Sequence, residues 1–133
     1  MQVKRFGVSI EEDLLKKLDS MVKESNFSNR SQAIRHLISQ HEAKEKWAKN
    51  KIVAGTIVMV YDHHKRELSN KSTAIQHDYH DLILAVQHIH LDHNNCLETI
   101  ALKGEAKKLT ELADKLIGLK GVKHSKLVMS SCD

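Results

Sequence analysis

The stretch LILAVQHIHLDHNNCLETIAL, residues 82–102, decides the fold of the second half of this 133-residue chain. Residues 82–91 and 96–102 contain the apolar and β-branched side chains that are typical of strands. The four residues between them, 92–95, are Asp, His, Asn and Asn, which favour a turn. The stretch therefore predicts a β-hairpin.

The segments on either side of the hairpin complete an α+β domain. Strands are predicted at residues 52–61 and 122–129, and helices at residues 65–80 and 105–119. The resulting order, βαββαβ, is the ferredoxin-like arrangement that ACT-like modules share. Helices cover one face of such a sheet, so we expect its open face to mediate oligomerisation.

A smaller module precedes this domain. Residues 5–10 alternate between polar and apolar side chains, as in a half-buried strand. Ser9 with Glu12, and Asn29 with Gln32, have the spacing of capping boxes, which predicts two helices after the strand. A strand–helix–helix unit of this size buries too little surface to fold alone, and its strand needs a partner. We therefore expect a dimer in which two such strands pair.

The paired strands would form an exposed ribbon that fits the DNA major groove. Arg5, Gly7 and Ser9 of each chain would lie on its outer side. The start of the second helix offers free N–H groups to a phosphate; its residues are Asn29, Arg30 and Ser31. The alternative is a module that only dimerises and whose charges are solvated surface.

Charge and histidine content divide the chain in the same place. Residues 1–51 hold 11 Lys and Arg against 7 Asp and Glu, whereas residues 52–133 hold 10 of each. Eight of the ten histidines follow residue 51. The basic excess of the first part suits a polyanionic partner, and the histidines of the second part suit a function that depends on imidazole groups. We predict domains at residues 1–48 and 49–133.

Composition excludes several classes of protein. No run approaches the roughly 18 apolar residues that a membrane span needs. The first residues predict no signal peptide, and two cysteines are too few for a disulfide scaffold. We expect a cytoplasmic protein with reduced thiols that does not bind membranes.

The hairpin carries a candidate metal site. His88 and His90 are two residues apart on a predicted strand and so share a face, and Cys96 begins the return strand near them. Two imidazoles and a thiolate make a soft, nitrogen-rich site for a transition metal. His77, on the preceding helix, is available as a fourth ligand from the same chain or across an interface. The alternative is core packing with an incidental thiol.

Together these patterns resemble a known family. QH at residues 76–77 followed by HIHLDHNNCLE at residues 88–98 closely resembles the nickel-responsive regulators, NikR. RFGVSI at residues 5–10 and NRSQAIR at residues 29–35 resemble the ribbon-helix-helix repressors. The resemblance covers essentially the whole chain and includes YDHHKR at residues 61–66.

The resemblance implies a nickel-responsive transcriptional repressor and not an enzyme. It implies one Ni(II) per subunit, in a square-planar site made by His88, His90 and Cys96 with His77 of a neighbouring subunit. The C-terminal metal-binding domains would form the core of a homotetramer, a dimer of dimers. Two ribbon-helix-helix domains would bind double-stranded operator DNA on each side.

The resemblance also implies how metal would control DNA binding. Lys65 and Arg66 match family positions that reach the DNA backbone from the metal-binding domain. Recruitment of His77 would order residues 65–80 and place these two cations against phosphates.

His63 and His64, which follow the first strand of this domain, are expected at the surface.

Other functions remain open from the residues alone. The regulator could respond to copper, cobalt or zinc, or to a small organic effector of the kind that βαββαβ modules bind. A metalloenzyme would need an open metal position and a general base, and neither is evident. A metal storage protein would explain the histidines but not the basic N-terminal module.

Overall fold

The computed structural model describes residues 1–133. The chain divides into two compact units, Met1–His41 and Glu42–Asp133. The helices and strands are, in chain order, α1 Glu12–Glu24, α2 Arg30–Ala48, β1 Ile52–Tyr61, α3 Arg66–Asp78, a single 3-10 turn at His80–Leu82, β2 Ile83–His90, β3 Cys96–Glu105, α4 Ala106–Ile117 and β4 Val122–Met129. None of these helices combines the length and the apolar character needed to cross a bilayer.

The second unit confirms the predicted βαββαβ arrangement. Its strands form one antiparallel sheet in the order β2-β3-β1-β4. β3 is longer than predicted, because its last three residues pair with the first three residues of β1. Within this extension Gly104 leaves room for the buried Leu82, since a Cβ atom there would lie only 2.6 Å from Leu82 Cδ2.

One face of the sheet packs against α3 and α4. Alternate residues of β1 and β3 are buried there against the apolar side of α4. Trp47, near the end of α2, joins this core, and its Nε1 donates to the carbonyl of Ser130 at 2.8 Å. The fully buried side chains include Val53, Ile57, Ile100, Leu109, Leu112 and Leu116.

The opposite face of the sheet is uncovered in the single chain and carries both apolar and polar side chains. Ile89, Leu97 and Val60 form a row across β2, β3 and β1. Ile89 is 40% exposed, and Val128 on β4 is 46% exposed. An exposed apolar row of this kind is typical of an interaction surface.

The first unit contains the two predicted helices without the predicted strand. Residues 1–11 adopt no regular structure and are exposed, including Phe6 at 74% and Val8 at 59%. The strand predicted at residues 5–10 is therefore absent from the single chain, because no neighbouring strand satisfies its backbone groups.

One of the two predicted caps is wrong and the other is confirmed. Glu11 occupies the N-cap of α1 without a side-chain cap, so Ser9 does not act there. Asn29 caps α2, since its Oδ1 accepts the backbone N–H of Gln32 at 2.9 Å. The backbone N–H of Ser28 in turn donates to Gln32 Oε1.

Five residues of α4 are buried in the core of the second unit. Leu109→Ala removes a fully buried side chain and should lower the free energy of unfolding by about 3 kcal/mol. Lys108→Ala, at an exposed position of the same helix, should change it little. Urea denaturation at one fixed protein concentration checks both values, and equal effects would contradict this description of the core.

Candidate metal centre

The pairing of β2 with β3 brings three predicted ligands to the tip of the hairpin. His90 lies directly opposite Cys96, and His88 lies opposite Glu98. Directly paired residues share a face of the sheet, so both histidines lie on the face where Cys96 and Glu98 are buried. Cys96 Sγ lies 4.0 Å from His88 Nδ1. The predicted clustering of His88, His90 and Cys96 thus agrees with the strand register.

A buried carboxylate behind the hairpin orients His88. Glu98 is only 1% exposed, and its Oε1 lies 2.9 Å from His88 Nε2. Because a carboxylate accepts hydrogen bonds, this contact places the proton of the imidazole on Nε2. The lone pair of Nδ1 then lies on the side of Cys96 and of the Tyr61 hydroxyl. Hydrogen bonds of this kind set the tautomer of histidine ligands in metal sites.

Two further polar residues surround Glu98. Gln76 Nε2, on α3, donates to Ser72 Oγ at 3.0 Å and to Glu98 Oε1 at 3.5 Å. Glu98 Oε2 has no hydrogen-bond partner in the single chain. Glu98 belongs to one of the family strings in the sequence, but no role was predicted for it. The signal was available, because a residue two positions after Cys96 on a strand must share its face.

Tyr61 lies on the buried side of the centre. Its hydroxyl lies 3.5 Å from His88 Nδ1. Burial, together with the nearby Glu98 and Cys96, raises the pKa of the Tyr61 phenol well above its ordinary value. Tyr61 therefore keeps its proton at physiological pH and adds no negative charge to the centre.

The turn between β2 and β3 holds Cys96 in register. Asp92 Oδ1 accepts the backbone N–H groups of Asn94 at 2.9 Å and of Asn95 at 2.8 Å. Hydrogen bonds from the side chain of Asn95 and from these amides lower the pKa of Asp92. Lys123, at the start of β4, donates to Asn95 Oδ1 from the other side. Asn95, immediately before Cys96, is thus hydrogen-bonded to both Asp92 and Lys123.

His77 does not join the other three candidate ligands within one chain. It lies in the last turn of α3 and is exposed. Its ring stacks on that of His80, with 6.0 Å between centroids, and its carbonyl contacts His80 Nδ1 at 3.0 Å. No hydrogen bond or ring contact connects His77 with the hairpin.

The expectation of a plain surface position for His63 and His64 is wrong for His63. His63 is partly buried, and its ring packs edge-on against His90 with 4.6 Å between centroids. Burial, followed by the nearby His64 and His90, lowers the pKa of His63. Asp62, His63 and His64 also form a triad whose potential ligand atoms all lie within 4.8 Å of one another.

The residues predicted to contact DNA lie at the surface of each unit. In the first unit, Arg5, Gly7 and Ser9 are exposed, and no atom lies within 4 Å of a Cβ placed on Gly7. Arg30 forms two hydrogen bonds with Asp19, at 2.8 and 3.0 Å, and these lower the pKa of Asp19. Arg30 therefore ties α2 to α1 in the single chain.

In the second unit, Lys65 and Arg66 line a surface cavity of about 330 Å³ together with Lys71 and Lys120. Lys71 is paired with Glu67 at 3.0 Å, whereas Lys65, Arg66 and Lys120 form no ion pair. Lys120 was not predicted from the sequence, because it lies far along the chain, in the connection between α4 and β4.

Comparison with known families decides the identity of these two units. The NikR C-terminal nickel-binding domain matches residues 54–130, and the ribbon-helix-helix protein family, copG family, matches residues 4–45. The chain belongs to the NikR family of nickel-responsive regulators. It is therefore a regulator with a ribbon-helix-helix DNA-binding domain and a metal-binding α+β domain, and it is not an enzyme.

Relatives match over nearly the whole chain. A protein of Syntrophus aciditrophicus, named as a nickel-responsive regulator, is 50% identical over 126 residues, which cover 95% of this chain and 92% of the relative. A protein of the same name from Chlorobaculum tepidum is 49% identical over 129 residues, covering 97% and 96%. The solved structure of the uncharacterized protein TM1266 from Thermotoga maritima covers 59% of this chain and 98% of its own, with a TM-score of 0.54 and 18% identity, and shows the fold alone.

The contact of Glu98 with His88 predicts a graded loss of nickel affinity. Glu98→Leu removes the acceptor that orients the imidazole and should weaken Ni(II) binding by about 10- to 100-fold. Glu98→Gln keeps an acceptor oxygen and should lose less. Competition against a nickel chelator measures both affinities, and thermal denaturation verifies that both variants are folded. Native affinity in Glu98→Leu would show that this carboxylate does not orient the ligand.

Proposed function

We propose that nickel controls operator binding through a centre built from His88, His90 and Cys96 of one chain and His77 of a neighbouring chain, with one ion per chain. The observation that carries this proposal is the register of the hairpin, in which His90 faces Cys96 and the buried Glu98 holds His88. In a single chain His77 has no contact with these residues, which favours a neighbouring chain as its source.

The side chains of the centre suit Ni(II). A thiolate and neutral imidazoles are donors that late first-row metals favour. Glu98 directs the free nitrogen of His88 towards Cys96, and the protonated Tyr61 adds no charge beside them. When bound, the ion supplies a fixed connection between donors of two chains. As a ligand, His90 would exchange its ring contact with His63 for a bond to the metal.

The open face of the sheet supports a tetrameric assembly. Its apolar row of Ile89, Leu97 and Val60 has no cover within the chain. Pairing of two such faces would bury it and would bring the sheets of different chains together. We propose a homotetramer, with domains at residues 1–48 and 49–133, in which the second domains form the core.

α3 provides a direct connection between the metal centre and DNA. Its last turn carries His77, and its first residue, Arg66, follows Lys65. A helix of 13 residues spans about 20 Å, so fixing His77 restrains the position of both cations. Together with Lys120 they would face DNA phosphates from the cavity at the start of α3.

The first domain would read the operator. Two chains would pair their N-terminal segments, which form no strand in one chain, and present Arg5, Gly7 and Ser9 to the major groove. The start of α2 would contact the DNA backbone through the cap residue Asn29 and through Arg30 and Ser31. A repressor of this kind acts in the cytoplasm, where its operator lies.

Selection from a randomised pool of DNA duplexes tests this function whatever the sequence of the operator is. With one Ni(II) per chain, the protein should enrich inverted repeats, because a symmetric dimer binds two equivalent half-sites. In the presence of a chelator no sequence should be enriched. Enrichment of the same sequences under both conditions, or of none in either, would contradict nickel control.

The role of His77 gives a second test. His77→Ala should leave a three-ligand centre and abolish the dependence of DNA affinity on nickel, because metal would no longer restrain α3. His41→Ala, which replaces an exposed histidine of the first unit, serves as the control and should keep that dependence. Fluorescence anisotropy with a selected duplex measures both, and nickel-dependent binding of His77→Ala at native strength would refute the coupling.

The surface cavity lined by Lys65, Arg66 and Lys120 predicts how DNA affinity depends on salt concentration. The slope of log affinity against log salt concentration is negative. Lys120→Ala should make it shallower by about one for each subunit in which Lys120 contacts a phosphate. Lys108→Ala, on the exposed side of α4, should leave the slope unchanged. Titrations of a selected duplex at several salt concentrations give these slopes, and an unaltered slope for Lys120→Ala would exclude a phosphate contact there.

A further inference from the structure

We propose that Trp47 and Asn50 are positioning residues for the nickel control of DNA binding, because they fix the end of α2 to the metal-binding unit. α2 is one continuous helix, yet the boundary between the two compact units falls inside it, between His41 and Glu42. Residues 42–48 of the helix therefore belong to the metal-binding unit. This role rests on the proposed function, in which nickel bound by the second unit strengthens DNA binding.

The indole of Trp47 is packed against the sheet. Only 8% of the residue is exposed. A Cβ atom on Gly55 of β1 would lie 3.1 and 3.2 Å from two ring carbons of Trp47, so the missing side chain of Gly55 makes room for the ring. Nε1 donates to the carbonyl of Ser130, whose own N–H donates to the carbonyl of Ala54 at 2.9 Å. Trp47 thus connects α2 to β1 and to the segment after β4.

The preceding residue, Lys46, contacts the same segment through polar groups. Its Nζ donates to Ser131 Oγ at 3.2 Å and pairs with Asp133. The pairing lowers the pKa of Asp133 and raises the pKa of Lys46. Two consecutive residues of α2 are therefore held by residues 130–133.

Asn50 ends the helix in a defined conformation. Its φ of 55° lies in the left-handed region, which Asn adopts more readily than most residues. The backbone N–H groups of Asn50 and Lys51 donate to the carbonyls of Trp47 and Lys46, at 3.2 and 2.9 Å. This pair of hydrogen bonds is the Schellman motif of a helix C-terminus, so the chain leaves α2 in a fixed direction.

The same connection caps the start of α4. Asn50 Oδ1 accepts the backbone N–H of Lys107 at 2.8 Å, and the carbonyl of Lys51 accepts that of Ala106 at 3.1 Å. The first N–H groups of a helix have no acceptor within it, and here the residues that follow α2 supply two. We call the contacts of Lys46, Trp47 and Asn50 together the α2 anchor.

The α2 anchor matters because the proposed DNA contacts are divided between the two units. The first unit would contact bases and phosphates, and Lys65 and Arg66 of the second unit would contact phosphates of the same duplex. The affinity gained from a second, linked set of contacts depends on effective concentration, which a loose connection lowers. Loss of the anchor should therefore reduce what nickel adds to DNA affinity. It should leave nickel binding unchanged, because the anchor shares no residue with the hairpin centre.

Variants at two separate points of the anchor test this role. Trp47→Ala removes the indole, whereas Trp47→Phe keeps an aromatic ring. Asn50→Gly suits the left-handed backbone but removes the acceptor for the N–H of Lys107, and Asn50→Asp keeps an acceptor there. Gln40→Ala, at an exposed position of the same helix, is the control.

The quantity to measure is the ratio of DNA affinity with one Ni(II) per chain to DNA affinity in chelator, by fluorescence anisotropy with a selected duplex. We expect this ratio to fall tenfold or more in Trp47→Ala and threefold or more in Asn50→Gly. Trp47→Phe and Asn50→Asp should recover most of it, and Gln40→Ala should keep it. In all five variants the thiolate-to-nickel charge-transfer band of Cys96 should saturate at the same nickel concentration as in the wild-type protein.

Trp47 is the only tryptophan of the chain, so its fluorescence reports the anchor without DNA or metal. Its emission should resist quenching by acrylamide in the wild-type protein and in Asn50→Asp. Asn50→Gly should increase the quenching, because the end of α2 is then held less firmly. Equal quenching in the wild-type protein and Asn50→Gly would show that Asn50 does not hold the anchor.

The outcomes separate this role from the proposed function. A native affinity ratio in both Trp47→Ala and Asn50→Gly would overturn the role of the anchor and leave nickel control intact. A band that saturates only at higher nickel concentration in Asn50→Gly would also overturn it, because the anchor would then support the metal centre itself. If thermal denaturation shows that Trp47→Ala is unfolded, Asn50→Gly alone decides. Wild-type DNA affinity that does not depend on nickel would overturn the proposed function and the role of the anchor with it.

Discussion

The pairing of β2 with β3 is the constraint on which the rest of this molecule depends. Because side chains on paired strands alternate between faces, a shift of one residue would move His88 and His90 away from Cys96 and Glu98. The turn centred on Asp92 prevents that shift by accepting three N–H groups from the residues before Cys96. A short polar turn thus determines which side chains face each other at the candidate metal centre.

Glu98 adds an electrostatic constraint to this geometric one. A carboxylate buried against the core is costly unless it is hydrogen-bonded, and here its contacts come from His88 and Gln76. Gln76 immediately precedes His77 on α3. The same buried group therefore contacts one candidate ligand of the centre and the helix that carries the fourth candidate ligand.

Features that depend on local sequence could be predicted. The strand limits of β1 and β4, the position of the hairpin turn and the cap formed by Asn29 follow from residue types and spacing within a few positions. The clustering of His88, His90 and Cys96 follows from the period of a strand together with the turn. The ribbon-helix-helix and nickel-binding families were identified from strings that combine these local features, and the family comparisons confirm them.

Features that depend on contacts distant in sequence could not be predicted. Residues 5–10 have the pattern of a strand, yet a strand forms only beside another, and one chain supplies none. The approach of His63 to His90 and of Lys120 to Lys65 depends on how the ends of separate elements meet. The capping role assigned to Ser9 was wrong because α1 begins later, at Glu12, after an extended Glu11.

X-ray absorption at the nickel edge, on protein loaded with one Ni(II) per chain, tests the central claim most directly. The account predicts one sulfur neighbour, from Cys96, and imidazole nitrogens that include His88 and His90. Replacement of Cys96 by Ser should remove the sulfur signal. A nickel environment with nitrogen and oxygen neighbours alone in the unmodified protein would contradict the account, because the hairpin would then not be the nickel centre.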